Sequence, residues 1–95
     1  MKIYHKNEWV SVNANDDRLK DCNIFIGQGA VIEQNAVIGP GAVIGPGAVI
    51  GQDAVIGQDA WIEPGAVIEQ NARIGQDAWI EQDAVIEQGA VIEFI

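Results

Sequence analysis

Apolar residues return along this chain on a beat of six. Isoleucine occupies every sixth position from Ile26 to Ile92, and alanine stands two residues before it from Ala30 to Ala90. Between them lies Val, Trp or Arg, as in AVIGPGAVIG (36–45). Because six is even, a strand's two-residue alternation stays in phase from one repeat to the next, whereas a 3.6-residue helical period drifts. Ala and Ile therefore point inward together, while Val31, Val37, Val43 and their equivalents point outward. Recurrent Pro and Gly and the abundance of β-branched residues also oppose helix.

The polar positions predict corners. Three residues after each Ile stands Gly, Asn or Asp, from Gly29 to Gly89, the residues that best tolerate positive φ. Pro40, Pro46 and Pro64 each immediately precede such a Gly, as a type II turn requires. Each hexad reads as a short strand plus one corner. QDAWIE recurs at 58–63 and 76–81, and Gln34, Gln52, Gln70 and Gln88 repeat at the same spacing of eighteen. Three hexads per coil would stack these residues, giving about four coils.

IGQGAV, IGPGAV and IEQNAV resemble the hexapeptide-repeat family over residues 24–95. The resemblance implies a left-handed parallel β-helix of triangular section. Handedness comes from the resemblance alone, since the usual rule for parallel crossovers would give the opposite hand. Residues 1–23 read as a capping segment of different origin. WVSVNAN (9–15) alternates like a strand, DDRLKDC breaks the rhythm, and every Lys, Ser, Tyr, Leu, Met, His and Cys of the chain lies here. Such a cap would cover one of the exposed edges that a solenoid leaves at its ends.

Charge divides along the same boundary. Residues 1–23 balance four acids with four bases, whereas residues 24–95 carry ten acids against Arg73 alone, giving a net charge of −9. An acidic surface repels phosphate backbones and anionic headgroups, so neither nucleic acid nor membrane is expected as a partner. The start, MKIYHKNEWV, lacks a continuous apolar core for a secretory signal. A cytoplasmic or recombinant soluble chain without a targeting signal is the expectation. Cys22 is the only cysteine, so no disulfide is available within the chain.

Many relatives of the resembled family are trimeric acyltransferases with a histidine base and a coenzyme A-type donor. Residues 24–95 contain no His, Ser, Thr, Cys, Tyr or Lys, the usual bases and nucleophiles. Gamma-class carbonic anhydrases, also similar in pattern, need three zinc-binding histidines, and His5 is the only one here. Asp59, Trp61 and Glu63 recur as Asp77, Trp79 and Glu81, but a flat side offers no dry cleft for acid–base work, so a solvated acidic corner beside an aromatic patch is expected. Arg73 replaces a Val in an outward column between Val55 and Val91; interruption of that apolar stripe, with Glu69 and Glu93 as candidate partners, is expected ahead of anion recognition.

No catalytic residue, cofactor or metal site is assigned. The uniform Ile and Ala slots, in a body of only twelve residue types, suggest an idealised or consensus design. The leading reading is a non-catalytic structural scaffold, a rigid acidic β-solenoid that associates with itself. The alternatives are an acetyl-CoA-dependent trimeric acyltransferase and a sugar- or cation-binding module using Trp61 and Trp79. The interface is expected along the outward column Phe25, Val43, Trp61 and Trp79, with Phe94 and Ile95 offering a further contact at the C-terminal end.

Overall fold

The computed structural model describes residues 1–93 and is a parallel β-solenoid of about four coils, each of its three sides a ladder of two-residue strands. The first side stacks Phe25–Ile26, Val43–Ile44, Trp61–Ile62 and Trp79–Ile80. The second stacks Val31–Ile32, Val49–Ile50, Val67–Ile68 and Val85–Ile86. The third stacks Val37–Ile38, Val55–Ile56, Arg73–Ile74 and Val91–Ile92. Register between the coils is eighteen residues, so each inward Ile lies over Ile.

The corners form as the sequence predicts. Residues at the turn slot have φ from +59° at Asp59 to +79° at Gly29. Each turn closes on the following Ala, as where Ala36 N–H donates to Glu33 O at 3.2 Å. Adjacent coils bond at both strands and corners: Val37 N–H donates to Ala54 O at 2.9 Å, and Asp59 N–H to Pro40 O at 2.9 Å. The backbone ladder is thus continuous around the prism.

Ala and Ile fill the interior. Ile38, Ile44, Ile50, Ile56, Ile62, Ile68 and Ile74 are 0–1% exposed, with alanines from Ala36 to Ala72 at 0% between them. Ile26, Ile32, Ile86 and Ile92 are only partly buried, because a coil at either end has a neighbour on one side alone. The outward valines of the middle coils are half-buried rather than free in solvent, since the side chains above and below cover them.

Strand β1 (Lys2–His5) and strand β2 (Glu8–Ser11) form an antiparallel hairpin. Lys2 pairs in parallel with Val37, so the hairpin extends the third side to six strands with β2 at its edge. One helical turn, α1 (Arg18–Asp21), follows. Ile3, Val12, Leu19, Cys22 and Ile24 are buried and continuous with the isoleucine core. The alternation expected over 9–15 therefore contributes its first part to β2, and the broken rhythm of DDRLKDC contains the helical turn. No helix among the described residues is long and apolar enough to cross a membrane.

Candidate functional site

The outward positions of the first side are Phe25, Val43, Trp61 and Trp79, one per coil and in direct register. Phe25 is 57% exposed, Trp61 49% and Trp79 62%, while Val43 is half-buried between larger neighbours. The two indoles stack with centroids 5.2 Å apart and planes 5° from parallel. Strand spacing of about 4.8 Å dictates this arrangement, since identical side chains in adjacent strands adopt one rotamer and lie face to face. Each indole consequently gives one face to the other. That leaves less flat aromatic surface for a sugar ring than two separate tryptophans would offer.

Glu63 fixes the pair. Trp79 Nε1–H donates to Glu63 Oε2, and Gln82 N–H donates to Glu63 Oε1 at 3.2 Å. One carboxylate of the preceding coil thus anchors the outer indole and a corner of the next coil. Glu69 does the second of these jobs on the neighbouring side, accepting from Gln88 N–H at 3.3 Å. Sequence spacing showed the recurrence of these acids but not their work as backbone acceptors. The available signal was a Glu directly after the inward Ile, nineteen residues before a turn Gln.

Where glycine fills the same position the next coil closes in, over Gln58 at Gly39 as over proline. At Gly27 and Gly45 an added Cβ would lie 2.4 Å and 2.6 Å from the backbone nitrogens of Pro46 and Pro64 in the next coil. Proline has no N–H to donate, and its ring needs that space. Gln82 and Gln88 retain the N–H and lie next to Glu63 and Glu69. Glu33 likewise precedes Gln52 by nineteen residues, though without the hydrogen bond.

Arg73 corrects one expectation. It forms no ion pair with Glu69 or Glu93 among the described residues. Glu69 is engaged with Gln88 instead, which satisfies an otherwise idle donor without immobilising a long arginine side chain.

His5 lies in the hairpin, with Nε2 3.0 Å from Asp21 Oδ2 of α1 and its side chain 13% exposed. It ties two parts of the terminal segment together. Cys22 is buried, its Sγ–H donating to Tyr4 O at 3.3 Å, and burial pushes its thiol pKa up. A protonated thiol is a poor nucleophile. No group of three or more His, Cys, Asp or Glu residues suited to a metal ion occurs among the described residues.

A second aromatic cluster escaped sequence analysis. Tyr4 and Trp9 are paired across the hairpin and meet edge to face, with centroids 5.1 Å apart, both exposed. Lys2 is the hairpin residue in register with Val37 of the third side. Phe94 and Ile95, expected to add a C-terminal contact, lie outside the described residues.

Residues 22–52 match the family model described as bacterial transferase hexapeptide (six repeats). No curated protein matches the chain. Among solved structures, the chain is similar to serine acetyltransferase isoform 3 from Entamoeba histolytica, in a complex with cysteine. Identity is 24% and the TM-score 0.40, over 76% of this chain and 33% of that one. The chain thus spans about a third of the length of that enzyme. Residues 22–52 thus match hexapeptide repeats, and the described residues form a parallel β-solenoid.

Proposed function

We propose that the chain is a non-catalytic structural scaffold, a rigid acidic prism that associates with copies of itself through its first side. The observation that carries this reading is the aromatic column, in which Phe25, Trp61 and Trp79 stand exposed in one register and Glu63 holds the outer indole in place. Aromatic side chains can each bury about 150–250 Å², and a contiguous patch of that size is more than monomers ordinarily leave in water. An ordered apolar surface also loses little conformational freedom on association. The uniform Ile and Ala slots support an idealised or consensus design, in which interior regularity serves rigidity.

An acetyl-CoA-dependent acyltransferase is the second reading, favoured by the transferase-hexapeptide match at 22–52 and by the one imidazole, His5, held against Asp21. A carboxylate at that nitrogen can orient a histidine. His5 lies in the hairpin, however, and no side chain of the usual nucleophilic types stands on the coils. Incubation with acetyl-CoA and a panel of amine and hydroxyl acceptors separates the readings. The scaffold reading expects no turnover above buffer. Turnover that His5→Ala abolishes would overturn it.

A further inference from the structure

Arg73 is the only charged residue in an outward slot that otherwise holds Phe, Val or Trp. A concavity of about 540 Å³ surrounds it, lined by Val55, Gly57, Gln58, Gly75, Gln76 and Val91 among others. The sequence exception and the hollow therefore coincide.

Elsewhere the molecule shows what this corner can hold. Gln82 N–H and Gln88 N–H each bind a carboxylate oxygen, from Glu63 and Glu69 respectively, at 3.2 Å and 3.3 Å. Each glutamate directly follows an inward Ile in the preceding coil. On the side of Arg73 that position is filled by Gly39, Gly57 and Gly75 in succession. Gln58 N–H and Gln76 N–H, the counterparts of the two occupied donors, accordingly donate to no protein acceptor among the described residues. At these glycines the backbone of the next coil closes in, an added Cβ at Gly39 or Gly57 lying 2.6 Å from Gln58 N or Gln76 N. Backbone donors and a guanidinium that have no protein acceptor or ion-pair partner among the described residues thus meet adjoining apolar Val55 and Val91 in one groove.

We propose that this groove binds the carboxylate of a small apolar monocarboxylic acid. Gln76 N–H takes one oxygen, as Gln82 N–H takes that of Glu63. Arg73 supplies the opposing charge in a charge-assisted hydrogen bond, and the apolar chain lies along Val55 and Val91. Glu93 lines the same groove and the whole chain carries a charge of −9, which disfavours polyanions. At physiological salt, repulsion from acids beyond about 8 Å is largely screened, so a single carboxylate is the preferred ligand. This goes beyond the scaffold reading and does not rest on it.

The test is titration of the isotopically labelled full chain with hexanoate, followed by amide and arginine Nε–H chemical shifts, with hexanol and hexylamine as controls. Saturable shifts at Gln76 and Arg73 with hexanoate alone are expected. Arg73→Val installs the residue of neighbouring coils and should weaken binding by about tenfold. Arg73→Glu reverses the charge in the groove at an exposed outward position and should abolish binding. The rest of each spectrum reports that the variant is folded. Absent shifts, equal shifts with hexanol, or undiminished affinity in both variants would overturn the proposal. So would a Gln76 shift that follows protein concentration instead of acid, because the occupant would then be another copy of the chain.

Discussion

Proline placed at two equivalent corners should have opposite effects. Gln58→Pro and Gln82→Pro alter the same turn slot, but Gln58 lies beside Gly39 and Gln82 beside Glu63. At Gln58 the N–H is idle among the described residues and Gly39 offers no Cβ, reproducing the surroundings of Pro46 and Pro64. Pre-setting φ there reduces the freedom of the unfolded chain and should stabilise by about 0.4–1 kcal/mol. At Gln82 the same change deletes the donor to Glu63, worth about 1 kcal/mol at a surface. It also places a ring beside a real Cβ. The structure gauges that contact, since a Cβ at Gly27 would lie 2.7 Å from Pro46 Cδ, well inside the normal separation of about 3.5–4.0 Å. Overpacking of this kind costs about 1–3 kcal/mol. The two variants should therefore differ by at least about 2.5 kcal/mol, or roughly 10 °C or more in melting temperature for a domain of this size. Thermal unfolding followed by circular dichroism, at a concentration where both have the same mass, measures the difference. Equal melting temperatures would refute the glycine–proline and glutamate–glutamine pairing between coils.

Three further outcomes follow from the corners and charges. Gly47 has φ +72° with open space beyond it, so Gly47→Val should destabilise by about 1–3 kcal/mol through backbone strain. Gly47→Asn, a residue that the same slot accepts at Asn35 and Asn71, should cost far less, and equal melting temperatures would contradict this. The Arg18 guanidinium bonded to Asp16 holds that carboxyl down at about 2. Because its folded value is depressed, the contribution is complete above about pH 4 and disappears as pH falls through about 2. Asp16→Asn should remove that part of the acid sensitivity in a pH titration of stability, and an unchanged profile would count against the pair. Moderate salt should raise the melting temperature by screening the ten acids of residues 24–95, and a flat or falling salt series at constant mass would contradict it.

The solenoid was legible because its causes are local and repeated. An even period keeps Ala and Ile inside, and the positive-φ residues appear at every corner. Spacing of eighteen gave the three sides, since like residues stack only if three hexads close a coil. The hairpin was less legible. Lys2–His5 is too short to show convincing alternation, and its pairing with Val37 is a non-local contact that no pattern within the segment encodes. The Tyr4–Trp9 cluster was missed for the same reason. At the candidate site the aromatic column could be read from spacing alone, but the tie from Trp79 to Glu63 depends on rotamers in two coils. Arg73 makes no pair with Glu69 among the described residues, where that carboxylate accepts from Gln88 N–H. A count of charges along the chain does not include that donor.

Sedimentation velocity of the parent chain beside Trp61→Lys/Trp79→Lys, across a micromolar concentration series, tests the central claim most directly. Both replaced positions are exposed and outward, so the core beneath them is retained and the fold can be verified by its β spectrum. The account expects an oligomer for the parent and a shift to monomer for the double variant. A monomeric parent, or a double variant that keeps the parent's mass, would contradict association through the aromatic side.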